Sequence, residues 1–517
     1  AAAVAGAWRF LPKLEYLPEG NRNLVFGIII PPPGYNLATM TEIAESIETA
    51  IKPHLASGPD AAPAGDEAAK IKRFFFVATR GSTFLGAQAS DPQRAGELIP
   101  ILREPVFREP GTFGFINQPS IFGRGIGAGR KVDLDISGPE LEPILGVALR
   151  AMGKVVGVLP LEEGNQIRPN PGLELGAPEV RVVPDRVRLA DNGVSVRELG
   201  DTVDAFNDGL RVAEVTVGGA RIDLTLRGLQ NGVSETQGIA NLPVVTASGR
   251  IIPTSSLADV IMTTGPTELR HVERARTVTL EIRPAPNMAL EVALEVLREQ
   301  VINVLQKEGL PGGVTLRLSG TADQLNQTWN AMQLQLLLAL VIVYLVIAVL
   351  FESFLYPLII LLSVPVAAAG GVAGLVALNT VTFQPLDMLT LLGFVILIGI
   401  VVNNAILLVH QTLHHLREGQ RPADAILLAT QYRVRPIFMS TLTSVFGMLP
   451  LVLFPGAGSE LYRGLGSVVV GGLALSAVLT LVLIPPMMSM LLSSRRVQSR
   501  PLSRPSTPTP LPEARSE

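Results

Sequence analysis

The chain has 517 residues, no cysteine and a mean hydropathy of +0.38. The lack of cysteine excludes disulfides and thiolate metal sites. Residues 1–330 carry a net charge of −6 and residues 331–517 a net charge of +3, so an acidic, soluble-looking region precedes an apolar one. Because the soluble-looking region has no basic aromatic patch, nucleic acid is not expected as a partner.

The chain begins with an apolar stretch that ends at Trp8. Eight residues are too few to span a bilayer. We expect residues 1–9 to be the end of a truncated transmembrane helix. The alternative is a mature N-terminus left by signal cleavage.

Residues 17–130 predict a strand–helix–strand–helix–strand unit. Apolar residues at helical spacing predict one helix over residues 39–51, and Asp91–Pro92 predicts the start of another. Strands are predicted over residues 23–30, 71–79 and 112–117.

A second unit with a similar pattern occupies residues 131–183 and 265–322. Its strands are predicted at residues 131–136, 180–183, 277–282 and 314–318, and its helices at residues 139–152 and 289–306. Residues 184–264 interrupt this unit as a partly β-rich insert. Two split βαβ units predict duplicated ferredoxin-like modules, so we expect the soluble region to be α+β.

Residues 331–494 predict an all-α transmembrane bundle. Five uncharged segments are each long enough to cross a membrane, at residues 331–350, 356–378, 388–412, 437–455 and 464–492. Residues 422–432 predict a separate amphipathic helix along the cytoplasmic membrane surface. The Pro- and Ser-rich tail, residues 495–517, is expected to be disordered.

Basic residues in the connections predict the orientation of the bundle. On the side of the soluble region, the two short connections carry only Arg463, whereas the eight other arginines from Arg417 to Arg504 lie on the opposite side. The excess of basic residues marks the cytoplasmic side. We therefore expect a cytoplasmic C-terminus and a large outward-facing domain.

Two adjacent carboxamides, Asn403 and Asn404, lie in the middle of the uncharged stretch 391–409. Gly399 precedes Asn403 by four residues, which predicts that a neighbouring helix approaches there. In the next span, Ser440, Thr443, Ser444 and Gly447 fall on one helical face. From the residues alone, interhelical packing and a polar pathway both remain open.

Signals for enzymatic chemistry are poor. The phosphate-binding pattern G-x-x-x-x-G-K-[ST] does not occur, which argues against an ATP-driven pump half. His410, His414 and His415 lie together at the cytoplasmic end of the third span. We interpret them as a solvated interfacial cluster rather than a metal site.

Four segments together resemble the resistance–nodulation–division (RND) efflux transporters. Residues 399–409 resemble that family's tenth transmembrane helix, and residues 433–451 resemble the eleventh. Residues 351–366 are similar to the join between the eighth and ninth helices. Residues 184–195 are similar to the start of its docking subdomain.

The resemblance implies the C-terminal half of a proton-coupled pump of the acriflavin-resistance, or hydrophobe–amphiphile, branch. Residues 17–130 would be the first porter subdomain, residues 131–183 and 265–322 the second, and residues 184–264 the docking insert. Such pumps are secondary active transporters of the bacterial inner membrane, not enzymes, and use the proton gradient without a cofactor. The implied partners are the N-terminal half, further copies in a homotrimer, a periplasmic adaptor, an outer-membrane channel, membrane lipid and amphiphilic small molecules.

The resemblance also implies a proton-relay role for Asn403, Asn404, Arg433 and Ser440. The family's acidic pair lies in its fourth span, and no span here contains a carboxylate, so we expect no proton translocation by this chain alone. Drug-exporting members usually have Lys at the position of Asn403. A carboxamide can hydrogen-bond an acid but cannot neutralise it. The lack of an acid in the tenth-span segment argues against metal export.

For substrate contact, residues 81–86 resemble a flexible loop that separates binding pockets, which makes Phe84 a candidate. Val132 and Leu134 lie on the strand expected to line a pocket. Core packing is the alternative for all three. The competing function is a non-transporting membrane scaffold, or a protein- or lipid-export accessory, of RND-like architecture.

Overall fold

The computed structural model describes most of the chain as an α/β region followed by long apolar helices. The described residues are 6, 9–18, 20, 22–32, 35–56, 70–79, 83–109, 112–119, 130–173, 176–207, 209–228, 237–266, 268–454, 456 and 458–498. The predicted combination of an α+β soluble region and an all-α membrane bundle is confirmed. Most of the predicted N-terminal helix end and of the C-terminal tail lies outside the described residues.

The first unit is an antiparallel sheet with two helices on one face. Its elements are β1 (Val25–Ile30), α1 (Leu37–Ile51), β2 (Ile71–Ala78), β3 (Thr83–Ala89), α2 (Leu98–Arg108) and β4 (Phe113–Asn117), with the strands in the order β2-β3-β1-β4. Alternate strand residues such as Ile29 and Leu85 pack against Ile47 and Leu98 of the helices. Strand β3 corrects the sequence interpretation, which placed a flexible loop over residues 81–86.

The second unit begins with β5 (Val132–Gly138), α3 (Leu141–Val158) and β6 (Gln166–Asn170). The insert and its flanking strands then follow as β7 (Ala177–Pro184), α4 (Arg186–Asp191), α5 (Val196–Asn207), β8 (Leu210–Val217), β9 (Ala220–Leu226), α6 (Gln237–Ala240), β10 (Pro243–Val245), β11 (Ile251–Pro253) and β12 (Ala258–Gly265). Strands β8 and β9 form an antiparallel hairpin that turns at Gly218 and Gly219, both in the left-handed region favoured by glycine.

The chain then completes the second sheet. Its remaining elements are β13 (His271–Val272), β14 (Ala275–Arg283), α7 (Leu290–Val296), a π-helical segment (Leu297–Ile302), α8 (Asn303–Glu308) and β15 (Thr315–Gly320). Strand β14 pairs with β5 and β6, and β15 pairs with the other edge of β5. Strand β6 was not predicted, because Pro169 interrupts its short apolar pattern.

The helical region is α9 (Thr321–Phe351), α10 (Leu355–Leu361), α11 (Ser363–Asn379), α12 (Met388–Arg417), α13 (Pro422–Leu453) and α14 (Arg463–Gln498). In the described part of the chain, five helical stretches are long and apolar enough to cross a membrane, as predicted. Helix α9 begins directly after β15, so the second soluble subdomain runs into the first span.

The predicted interfacial helix over residues 422–432 is wrong as a separate element. These residues form the first third of α13, which continues through Pro436 to Leu453. A proline inside a helix removes one backbone hydrogen bond but need not end the helix.

Helices α11 and α14 pack closely because glycines face each other. A Cβ atom placed on Gly374 would lie 2.6 Å from the carbonyl oxygen of Ser467, and one on Gly471 would lie 2.5 Å from that of Gly370. The pairs Gly370–Gly374 and Ser467–Gly471 are each four residues apart, the small-residue spacing typical of close membrane helices. The obstructing atoms are backbone, so a side chain here requires the helices to separate.

We predict that Gly374→Ala lowers the stability of the bundle by about 1–3 kcal/mol, the range for overpacked sites. Gly399→Ala is the matched control, because a Cβ at Gly399 meets nothing within 4 Å and alanine has the higher helix propensity. Equilibrium unfolding in detergent micelles measures both variants. An equal change of stability in the two variants would contradict the claim that backbone atoms leave no room for a side chain at Gly374.

Candidate functional site in the membrane helices

The two asparagines of α12 lie on different faces of the helix. Asn404 is 8% exposed and lies beside Ala405 and Leu408, which belong to the apolar interior of the bundle. Asn403 is exposed. Neither carboxamide has a hydrogen-bond partner within the described part of the chain, and of the two only Asn403 is exposed to groups outside it.

Small and polar residues of both α12 and α13 are exposed in the middle of these helices. Gly399, Asn403, Ser440 and Gly447 are all exposed. A Cβ atom on Gly399 or on Gly447 would meet nothing within 4 Å. The prediction that a neighbouring helix approaches at Gly399 is therefore not met among the residues that the structure describes.

Two exposed hydroxyl groups of α13 donate to carbonyls of their own helix. Ser440 Oγ donates to the Ile437 oxygen at 3.0 Å, and Thr443 Oγ1 donates to the Met439 oxygen at 2.8 Å. Such back-bonding satisfies a hydroxyl proton while leaving oxygen lone pairs free to accept. We refer to Gly399, Asn403, Ser440, Thr443 and Gly447 together as the polar face.

Arg433 begins a line of hydrogen-bonded side chains at the C-terminal end of α12. Its Nη2 donates to Gln411 Oε1 at 2.9 Å, and Gln411 Nε2 lies 3.1 Å from His415 Nε2. His415 Nδ1 lies 3.0 Å from Glu418 Oε2, and the His415 ring stacks on Tyr432 with 5.9 Å between centroids.

The prediction of a solvated histidine cluster is wrong for His415, which is only 8% exposed; His410 and His414 are exposed. The reason is the packing of Tyr432 over the His415 ring. Sequence reasoning missed Gln411 altogether. Its position four residues before His415 was the available signal, since such residues are neighbours on a helix.

A buried ion pair joins the start of the described chain to the second soluble subdomain. Arg130 Nε lies 2.7 Å from Glu15 Oε2, and both side chains are nearly inaccessible to solvent. The same Glu15 oxygen accepts from the Leu290 amide at 3.0 Å, and Arg130 Nη1 donates to the Ala285 carbonyl at 2.9 Å. Burial raises the pKa of Glu15, against the opposing effect of Arg130.

The segment around Glu15 also binds the loop that leads into α12. The Glu15 amide donates to the Leu386 carbonyl at 3.1 Å, and the Leu386 amide donates to the Lys13 carbonyl at 3.0 Å, along a short parallel bridge between Leu14 and Leu386. Asp387, fully buried, then caps α12 by accepting from the Thr390 amide at 2.7 Å. The soluble region and the outer end of the bundle are thus fastened together at this junction.

A cavity of about 550 Å³ opens beside the junction. Its walls are mainly apolar and include Phe10, Met288, Val292, Val376 and Phe383, with Lys13, Glu163, Asn379 and Gln384 supplying polar groups. It lies between the outer ends of the membrane helices and the second soluble subdomain. Its size and its mixture of apolar and polar walls suit an amphiphile.

Phe84 lies in strand β3 and is half-buried. Its ring centroid is 6.0 Å from that of Phe26, which is 6.3 Å from that of Phe75. These three rings lie on the sheet face opposite α1 and α2, and we refer to them as the aromatic patch.

The prediction that Val132 and Leu134 line a substrate pocket is wrong. Both are 0% exposed in the core beneath α3 and α7. Strand alternation puts Asp133 and Asp135 on the other face, where Lys131 lies 3.1 Å from Asp133. The amphipathic helices predicted on either side of this strand were the signal for a core role.

Comparison with known proteins identifies the class to which these features belong. A sequence profile of the AcrB/AcrD/AcrF family matches residues 2–492, and the chain belongs to this family of RND permeases. The chain is similar to multidrug resistance protein MdtC of Klebsiella pneumoniae subsp. pneumoniae, with 31% identity over 418 residues that cover 78% of this chain and 39% of the relative. MdtC of Cronobacter sakazakii is 29% identical over 401 residues, which cover 76% of this chain and 37% of the relative.

The fold is also similar to that of a heavy metal efflux pump solved by crystallography. The two superpose with a TM-score of 0.78 at 21% sequence identity, over 96% of this chain and 49% of that pump. The chain therefore spans less than half the length of the relatives it matches, and it corresponds to their C-terminal half.

We predict that Arg130→Met destabilises the protein by about 3–5 kcal/mol, because the Glu15 carboxylate loses its buried partner. The double variant Glu15→Leu/Arg130→Met should recover part of this loss. Denaturation in detergent micelles measures the free energy of unfolding of the single and the double variant.

Arg108→Met is the control, because Arg108 forms an exposed ion pair with Glu104, and such pairs contribute about 0–1 kcal/mol. If Arg130→Met is no more harmful than Arg108→Met, the junction does not depend on the buried pair.

Proposed function

We propose that this chain is the C-terminal half of a proton-coupled RND pump that exports amphiphilic small molecules across the bacterial inner membrane. The observation that carries the proposal is the polar face of α12 and α13, which lies uncovered in the middle of membrane-spanning helices. The family and its multidrug resistance relatives support transport as the activity.

A carboxamide exposed at mid-membrane costs free energy unless a polar group faces it. The small residues beside Asn403 leave room for another helix to approach. We propose that the N-terminal half covers the polar face with its acidic pair, and that Asn403 and Ser440 hydrogen-bond those acids. Asn404 lies on the buried side of α12, and we propose that its unpaired carboxamide joins the relay from the interior of the bundle.

Neutralisation of the relay's acidic groups then depends on residues other than Asn403. A carboxamide donates to a carboxylate and accepts from a carboxylic acid, so it serves both protonation states but neutralises neither. Arg433 supplies positive charge from the cytoplasmic end of α13. Its Nε is buried without a hydrogen-bond partner among the described residues, so it can donate to a further acceptor.

We propose that substrates enter at the cavity beside the junction. An amphiphile can reach this cavity from the periplasmic surface of the inner membrane. Its apolar walls suit the hydrophobic body of the substrate, and Glu163 suits a cationic group. The aromatic patch, with Phe84 as the contact first predicted from sequence, is a second apolar surface in the soluble region.

The orientation and assembly follow from charge and exposed apolar surface. Eight arginines from Arg417 to Arg504 lie on one side of the helices, and this excess of basic residues supports a cytoplasmic C-terminus and a periplasmic soluble region. The β8–β9 hairpin exposes apolar side chains, including Val212, Ile222 and Leu224, which supports contact with a partner. We propose a homotrimer that works with a periplasmic adaptor and an outer-membrane channel, uses the proton gradient and needs no other cofactor.

The test is efflux of a fluorescent amphiphile from cells that express this chain assembled with its N-terminal half. We expect efflux that a proton uncoupler abolishes. Asn404→Leu should also abolish efflux while leaving the unfolding midpoint nearly unchanged, because a leucine packs well among Ala405 and Leu408.

Phe446→Leu is the matched control, because this exposed residue of α13 is outside the polar face; it should retain efflux. Efflux that persists in the presence of the uncoupler would refute proton coupling. Retained efflux with lowered stability in Asn404→Leu would instead make Asn404 a packing residue.

A further inference from the structure

The line of side chains from Arg433 to Glu418 permits only one arrangement of hydrogens. An arginine side chain can donate but cannot accept, so the oxygen of Gln411 must face Arg433. The amide NH₂ of Gln411 then faces His415 and donates to its Nε2. His415 must therefore carry its single proton on Nδ1, which donates to the Glu418 carboxylate. All three contacts are satisfied when His415 is neutral.

A second proton on His415 breaks this arrangement. Protonation at Nε2 turns that atom into a donor that faces the donor NH₂ of Gln411. If the Gln411 amide rotates to offer its oxygen to His415, its NH₂ then faces the Arg433 guanidinium, which also only donates. Protonation of His415 therefore breaks either its own contact with Gln411 or the hydrogen bond between Gln411 and Arg433, and we take the second outcome as the one to test.

The surroundings of His415 allow it to respond to the cytoplasm. Glu418 and His414 face it from α12, and both are largely exposed. From α13, Tyr432 stacks on its ring, and Arg433 reaches it through Gln411. Water at the helix end can therefore deliver or remove a proton, and the Glu418 carboxylate compensates the added charge.

We propose that Gln411 and His415 are positioning residues for Arg433, which they hold while His415 is neutral and release when a cytoplasmic proton binds His415 Nε2. This inference rests on the proposed function, in which Arg433 supplies charge to the proton relay. The proton comes from cytoplasmic water and returns to it when the histidine is deprotonated. Acidification of the cytoplasmic side thus changes the rate of coupled transport through Arg433.

The first experiment measures transport by the assembled protein in inside-out vesicles while the external, cytoplasmic-side pH is varied across about pH 5–8, where histidine ordinarily titrates. We expect the wild-type rate to change by about tenfold, as for loss of one hydrogen bond to a charged group. His415→Gln can accept from Gln411 but cannot be protonated, so its rate should not vary with this pH.

His414→Gln is the matched control, since His414 is the exposed neighbour that also contacts Glu418, and its pH profile should follow the wild type. A wild-type pH profile in His415→Gln would overturn the proposal.

A second measurement does not require transport. In the full protein in nanodiscs, ¹⁵N spectra of the histidine rings and arginine side chains should show the Arg433 signal changing as His415 titrates. His415→Gln and Gln411→Leu should each abolish that change. Titration of His415 with no change at Arg433 would overturn the inference. If the linked change is present but transport is insensitive to an uncoupler, the positioning role stands and the proposed proton coupling fails.

Discussion

A polar side chain inside a membrane must find a hydrogen-bonding partner, and this chain leaves that requirement unmet at mid-membrane. Asn403 is exposed beside small residues, and Asn404, although buried, has no hydrogen-bond partner among the described residues. In water this arrangement would cost little, but in hydrocarbon it requires another protein surface. The bundle is thus built to be completed by more helices, and the polar face is the part of the structure on which its proposed activity depends.

Other contacts hold the polar face in a defined relation to the soluble region. Backbone-to-backbone contact at Gly374 and Gly471 fixes α11 against α14. The pair of Glu15 and Arg130 and the short bridge at Leu386 fix the outer end of α12 to the second sheet. Because α9 continues directly from β15, a movement of the second soluble subdomain must also displace the first span. The cavity lies at this same junction, where a bound amphiphile would contact both regions.

The fold was largely predictable because its strongest signals are local. Five uncharged segments predict spans, since hydropathy depends on composition more than on tertiary contacts. The predictions failed where tertiary contacts determine the secondary structure. The glycine-containing run at residues 81–86 suggested a loop, yet Thr83 onward pairs between two strands. Pro436 suggested a helix boundary, but α13 continues through it.

The site was less predictable than the fold. The position of Asn403 and Asn404 in a span was evident from sequence, but which of the two faces outward required the packing of the bundle. Val132 and Leu134 were misassigned because strand alternation does not reveal which face the helices cover. Tyr432 of another helix stacks on the ring of the buried His415, and the sequence pattern of α12 alone does not reveal that contact.

The most direct test of the polar face uses the natural absence of cysteine in the chain. Asn403→Cys introduces one thiol on the polar face, and Ala405→Cys, at a fully buried position, gives the unreactive baseline. Labelling by a small membrane-permeant thiol reagent is measured in detergent for the chain alone and for the chain assembled with its N-terminal half. We expect Cys at position 403 to be labelled in the chain alone and protected after assembly. Equal labelling in both states would contradict the claim that the polar face is completed by the other half of the transporter.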